Sequence, residues 1–269
     1  MPDEATLRYG LVGFGRIGRR LAERLAESPL ILAAVLVRPE DRAQAATAVP
    51  RSVVATDLDA FLAARPKVAV ECASRDALAT YGPPLLAAGV DLLPLSLSAL
   101  ADTATEATLM GAALDGPGRI EIPAGAMASL DALAAAREDD LRAVTVRVAY
   151  PAARLLGTPA AEGRDLASLT GPTLVASGSA RMLAASFPRH LNSVVGPALA
   201  GLGLDDTRVE LVADPGLAQA TFAVEFQAGP GPIVLAVGPR DVPLGADPVD
   251  YTTFSVMRLL RRRVSPMAI

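Results

Sequence analysis

The sequence predicts an α/β protein: an N-terminal doubly wound parallel sheet, followed by an α+β domain with a mainly antiparallel sheet. Three observations carry this. An apolar run, Tyr9 to Val12, breaks at Gly13, Gly15 and Gly18 and passes into a helical apolar period through Ile17, Leu21 and Leu25, which reads strand, tight turn, helix. Short buried strands then alternate with helical stretches as far as Arg119. Beyond it the alternating VTVRVAY and three further strand candidates joined by turns describe a different layer. At 269 residues the chain can bury two cores. The expected divisions are 1–119, 120–245 and a C-terminal helix in 246–269 that docks back on the first domain.

The glycine spacing has a chemical reading. Gly13 permits the turn, Gly15 has no Cβ to keep a pyrophosphate from the backbone, and Gly18 lets the helix lie close to the strand. Together they predict a Rossmann βαβ unit for a dinucleotide. Gly13, Gly15, Arg16, Ile17 and Gly18 hold its diphosphate at the helix N-terminus.

Ile31 to Val37 is the second strand, and its end is where the adenosine ribose is inspected. Val37, Arg38, Pro39 stand there, with Arg42 soon after. A guanidinium at Arg38 can pair with a 2′-phosphate, which favours NADP. The other reading is that Arg38 is a solvated loop charge and Glu40 or Asp41 holds the ribose of NAD. Val53 to Thr56 is a short strand, Leu58 to Ala64 a helix and Val68 to Cys72 a buried strand. The segment VECASRDALATYGPPLLAAGVDLLPLSLSALAD then runs strand, helix, strand. Its ends, Ala73, Ser74, Ser96 and Ala99, are expected to border the ribose and nicotinamide side. Glu71 is an unusual choice inside an apolar strand, where a carboxylate needs hydrogen bonds, so it is expected to brace a loop. Cys72 reads as a small buried side chain rather than a nucleophile.

In the second domain, IEIPAGAMASLDALAAARED predicts a short strand, a glycine turn and a helix. Helices are expected at Ser179 to Phe187 and at Leu191 to Leu204, the latter interrupted near Gly196 and Pro197. Strands follow at Arg208 to Ala213, Thr221 to Gln227 and Ile233 to Val237. A proline-rich return loop through Pro239, Pro243 and Pro248 leads to the last helix, Tyr251 to Arg263.

Composition narrows the class. Apolar residues make up 51% and mean hydropathy is +0.36, but much of this is alanine, and no run approaches the roughly 20 apolar residues that span a bilayer. The acidic start MPDEATLRYG is unlike a signal peptide. One cysteine excludes an internal disulfide and a multi-cysteine metal site. A net charge of −4 gives no reason to expect nucleic acid. A cytoplasmic protein without membrane, nucleic-acid or metal partners is expected.

Several phrases in order resemble the L-aspartate dehydrogenase family: GFGRIGRRLAERL, VECAS, AAGVDLLPLSLSALAD, IPAGAMASLDALAAARE, GSARMLAASFP and LAGLGLDDTRVELVADP. The resemblance implies a Rossmann domain, an α+β domain holding substrate and dimer contact, and hydride transfer between an amino-acid Cα and a nicotinamide cofactor, NADP or NAD. A homodimer acting on a small amine, amino acid, imine or oxo acid follows from it.

The departures bear on the substrate. Aligned on Asp214 and Pro215, the family's Asn and its acid/base His fall on Ala220 and Phe222. Its Ser-Gly-Ala becomes Ala124, Gly125, Ala126; its Ser-x-Gly-Ala-Leu becomes Ser96 to Leu100 with Ser98 for the glycine; and its Asn-Pro-Lys-Thr-Ser becomes Asp247 to Tyr251. These changes imply a less polar pocket. His190, in FPRHLN, is the one histidine and the candidate proton donor, since imidazole titrates near neutrality; its other reading is a capping or surface role. The leading expectation is an NADP-preferring oxidoreductase on a CH–NH₂ or imine carbon. Its alternative is a catalytically inactive nucleotide-binding protein of the same fold.

Overall fold

The structure, a computed structural model, describes residues 6–127, 130–242 and 250–267. The return loop through Pro243 and Pro248, and Asp247 with it, lies outside the described residues. Two compact units are present. The first comprises the chain up to Ala99, Thr103–Gly125 and the chain from Tyr251; the second comprises Leu100–Asp102 and Ala126–Asp250.

In the first unit β1 (Arg8–Val12) leads through the glycine turn into α1 (Arg16–Leu25), which buries Gly18, Leu21 and Leu25. Then come β2 (Ile31–Leu36), a 3-10 turn at Pro39–Asp41, α2 (Arg42–Ala48) and β3 (Val53–Ala55). Next is α3 (Leu58–Ala63), whose cap Asp57 accepts the Ala60 N–H at 2.8 Å. The chain then crosses to β4 (Val68–Glu71), α4 (Arg75–Ala87), β5 (Asp91–Pro94) and α5 (Thr103–Asp115). Every pairing is parallel and the order is β3-β2-β1-β4-β5. Winding therefore reverses between β1 and β4, which opens a crevice at their carboxyl ends. The strands β1 and β4 are nearly wholly buried, as strands covered by helices on both faces must be.

In the second unit α6 (Asp131–Ala136) precedes the long β6 (Leu141–Pro151), then β7 (Thr173–Ser179), α7 (Ala180–Ser186) and α8 (Asn192–Ala200). It closes with β8 (Arg208–Asp214), β9 (Thr221–Ala228) and β10 (Gly231–Val237). The order is β10-β9-β6-β8-β7, antiparallel throughout except β6 with β8. Val144, Val146, Val148, Val209, Leu211, Val224 and Phe226 form its buried face. On the other face Arg147 lies opposite Glu210 and donates to it at 2.7 and 2.9 Å.

Three expectations change. β7 was not anticipated from the sequence. Ile120 makes a single parallel bridge to Leu92 rather than a strand. The helix over Pro197 is continuous but shorter, ending at Ala200. The last helix, α9 (Tyr251–Arg262), belongs to the first unit, where Val256, Met257, Leu259 and Leu260 join the core of Leu21, Leu25 and Val35. Arg263 beyond it donates to both Asp91 and Glu121. No helix among the described residues is long and apolar enough to cross a membrane.

Candidate functional site

The crevice at the carboxyl ends of β1 and β4 holds a cavity of about 580 Å³. Its walls come from the β1–α1 turn (Gly13, Phe14, Gly15), the end of β2 (Val37, Arg38, Pro39), Asp41 and Gln44 beyond it, and the end of β4 (Cys72, Ala73, Ser74). Three different strand ends thus converge because the sheet reverses its winding there.

Each glycine has its own reason. Gly13 has φ +94°, and a Cβ on it would lie 2.7 Å from the Ala73 Cβ. A Cβ on Gly18 would come 2.8 Å from the Gly13 carbonyl oxygen. At Gly15, by contrast, a Cβ would meet no protein atom within 4 Å. Packing does not require this glycine, and its open side belongs to the cavity. Gly15 is also the N-cap of α1 without any side-chain cap, and an α-helix leaves its first N–H groups unpaired within itself. This cradle fits a diphosphate held by backbone N–H groups. Ile17 packs against the sheet core, and Arg16 is exposed outside the cavity lining, so their part in such a site is their backbone.

Arg19 was missed from sequence, although it lies one helical turn after Gly15. It lines the cavity, donating from Nε to the Phe14 carbonyl at 3.1 Å and from Nη2 to Gln44 Oε1 at 2.8 Å. Arg38 lines the same end. Its Nε and Nη2 donate to Asp41 Oδ2 at 3.0 and 2.9 Å, and Nη1 lies 3.2 Å from Glu40 Oε1. Donation to the Asp41 carboxylate, followed by the charges of Asp41 and Glu40, raises the Arg38 pKa further.

Glu71 is buried at the end of β4. Its Oε1 accepts the N–H groups of Ala73 and Ser74 at 2.8 and 3.0 Å and the Ser96 hydroxyl at 2.9 Å; Oε2 accepts the Ser96 N–H at 3.0 Å. One carboxylate therefore ties the end of β4 to the end of β5. Burial pushes its pKa upward while these four hydrogen bonds oppose the shift. Ser74 also caps α4, accepting the Ala77 N–H. Ala73 and Ser74 reach the cavity; Ser96 and Ala99 stand outside its lining, Ser96 on Glu71 and Ala99 buried. The Cys72 thiol donates to the Gly13 carbonyl at 3.4 Å, and burial followed by the Glu71 charge raises its pKa. It stays a thiol and is a poor nucleophile.

The second unit carries the other candidates. Val148 lies opposite Phe222, and Tyr150 opposite Ala213. Residues two apart on a strand share a face, so Phe222 and Tyr150 stand on the same face at one end of the sheet, beside the end of β8. His190 is fixed there. The Tyr150 hydroxyl donates to the His190 carbonyl at 2.6 Å, the two rings meet edge to face at 5.3 Å, and His190 Nε2 lies 2.9 Å from the Arg154 carbonyl. A carbonyl can only accept, so Nε2 carries hydrogen and Nδ1 is left as the acceptor of the neutral ring. Burial pushes the Tyr150 pKa up to about 12, so this phenol remains a donor at neutral pH. Ala220 precedes β9 at the same end. Ala124 and Gly125 belong to the first unit and Ala126 to the second; the Gly125 N–H donates to Ser255 Oγ at 3.1 Å.

Comparisons with known proteins bear on both units. Residues 131–263 match the family described as aspartate dehydrogenase, C-terminal, and residues 13–123 the homoserine dehydrogenase NAD binding domain. L-aspartate dehydrogenases from Cupriavidus taiwanensis and Ralstonia nicotianae are each 37% identical over 270 residues, covering 98% of this chain and 100% of theirs. The crystal structure of aspartate dehydrogenase from Thermotoga maritima superposes with a TM-score of 0.75 at 22% identity, over 98% of this chain and 99% of that one. GenD2 from gentamicin A biosynthesis, in complex with NAD, shares the fold at a TM-score of 0.55 and 17% identity, over 96% and 85%.

Proposed function

The chain belongs to the L-aspartate dehydrogenase family, and from that premise we propose an oxidoreductase acting on a CH–NH₂ or imine carbon, with a pocket less polar than the family's. It is an NAD(P)-dependent amino-acid dehydrogenase. NADPH is the favoured nucleotide in this reading and NADH is accepted. The observation that carries it is the cradle under the β1–β4 crevice, where Gly15 is open to the cavity although nothing in the protein needs that space.

Gly13, Gly15 and Gly18 shape the loop, and the backbone N–H groups at the start of α1 hold the diphosphate. Arg38 and Arg19 offer charge-assisted donors to a 2′-phosphate. Ala73 and Ser74, set by Glu71 together with Ser96, position the nicotinamide side. A bound nicotinamide dinucleotide would supply hydride acceptance in the oxidative direction and hydride donation in the reductive one, at the carbon that carries the nitrogen. His190 manages the proton at the substrate nitrogen through Nδ1, while the Arg154 carbonyl keeps Nε2 protonated. Arg154, whose charge also acts on Tyr150, is a cation at this end for the substrate's α-carboxylate. Within the second unit, Ala126, Ala220 and Phe222 line the substrate's side in this reading. The side chains of Ala220 and Phe222 offer a second carboxylate no donor, and a buried carboxylate without donors is unfavourable.

Reductive amination tests the reading. NADPH should be consumed only when ammonium and a 2-oxo acid are both present. Consumption independent of ammonium would make the protein a carbonyl reductase, and none with any oxo acid would remove the catalytic role.

A further inference from the structure

We propose that Asp41 sets the nucleotide selectivity of this chain, because it occupies the edge of Arg38 that a 2′-phosphate needs. The inference rests on the dinucleotide reading of the cavity and assigns within it a residue of opposite effect on the two nucleotides. Among the described lining residues Arg19 and Arg38 are cations and Asp41 is a carboxylate. The Nε and Nη2 groups of Arg38, the fork that binds two phosphate oxygens side by side, both donate to Asp41 Oδ2. The remaining nitrogen, Nη1, faces Glu40. Arg38 is thus neutralised before any nucleotide arrives.

Asp41 has a second capability. Asp41 lines the cavity and only its Oδ2 is engaged by Arg38, so the carboxylate keeps capacity to accept from a ribose 2′-hydroxyl, the contact this position makes in an NAD site. The unphosphorylated nucleotide can therefore bind with the Arg38–Asp41 pair intact. The phosphorylated one must displace Asp41 from Arg38 and bear its repulsion. The pair is able to yield, since the side chains are 73% and 42% exposed and pairs so exposed hold weakly. One carboxylate thereby lets both nucleotides use the site and restrains the preference that Arg38 alone would impose.

Asp41→Asn isolates the effect. Asp41 is the N-cap of α2, but its side chain makes no capping hydrogen bond, so the variant should fold as the parent does. The protein has no tryptophan, and binding can be followed directly by the emission of NADPH and of NADH, without turnover. Asp41→Asn should tighten NADPH by about 3- to 10-fold and weaken NADH by a few-fold, with the NADPH gain shrinking as salt is added. Glu40→Gln, which removes the carboxylate outside the cavity lining, should tighten NADPH less and leave NADH unchanged. An unchanged NADPH-to-NADH ratio in Asp41→Asn, or a shift of both in one direction, would overturn the proposal while leaving the site in place. Failure of the unmodified protein to bind either nucleotide would overturn the dinucleotide reading, and the proposal with it.

Discussion

Glu71 accepts four hydrogen bonds from two separate strand ends, so its replacement by an isosteric amide is informative. In Glu71→Gln one oxygen becomes a donor facing another donor, and at least one buried N–H is stranded. The expected loss is about 1–3 kcal/mol of stability, measured by denaturant unfolding; an unchanged midpoint would show that the brace is dispensable. His190 makes a different demand. If Nδ1 handles the substrate proton, His190→Ala should lower turnover by roughly 10² to 10⁴ while NADPH binding stays nearly the same. Equal loss of binding would make the residue structural. An apolar strand with one carboxylate already pointed to the Glu71 brace, because few other roles suit a charge there. The tether of His190 was not legible: Tyr150 and Arg154 are about forty residues away in sequence, and only folding brings them together.

The β1–α1 turn separates folding from binding within three residues. Gly13→Ala forces a side chain into positive φ and against Ala73, so it should destabilise the protein by more than about 1 kcal/mol. Gly15→Ala meets no protein atom; it should leave the unfolding midpoint close to that of the parent and weaken NADPH binding. Both variants are read by thermal unfolding and nucleotide titration, and a Gly15→Ala protein that binds normally would remove the cradle argument. This element was legible because its chemistry is local: a strand, three glycines and a helix in consecutive residues. β7 was not. Its segment TLVASGS buries only Val175 deeply and carries serine and glycine, so neither periodicity nor propensity marks it. It is a strand because the edge of β8 offers it a ladder of partners. The end of β2 is an intermediate case. Arg38 was visible as a candidate, but its pairing with Asp41 depends on the 3-10 turn at Pro39–Asp41, and the contribution of Arg19 depends on Gln44 of α2 lying beside it.

At the scale of the whole molecule, two sheets of different construction share one chain, and α9 returns to the first of them after the second is complete. Parallel β6 and β8 are separated by β7 and two helices, a pairing that local pattern does not reveal. The substrate question also belongs to this scale, because the proposed less polar pocket draws on residues of several segments at once. Oxaloacetate and 2-oxobutanoate have the same number of carbons and differ in the second carboxylate, so their comparison tests the central claim most directly. With ammonium and NADPH, kcat/KM for 2-oxobutanoate should exceed that for oxaloacetate by roughly tenfold or more, since leaving a buried carboxylate without donors costs several kcal/mol. A clear preference for oxaloacetate would contradict the account and show that other side chains supply the polar contacts missing at Ala220 and Phe222.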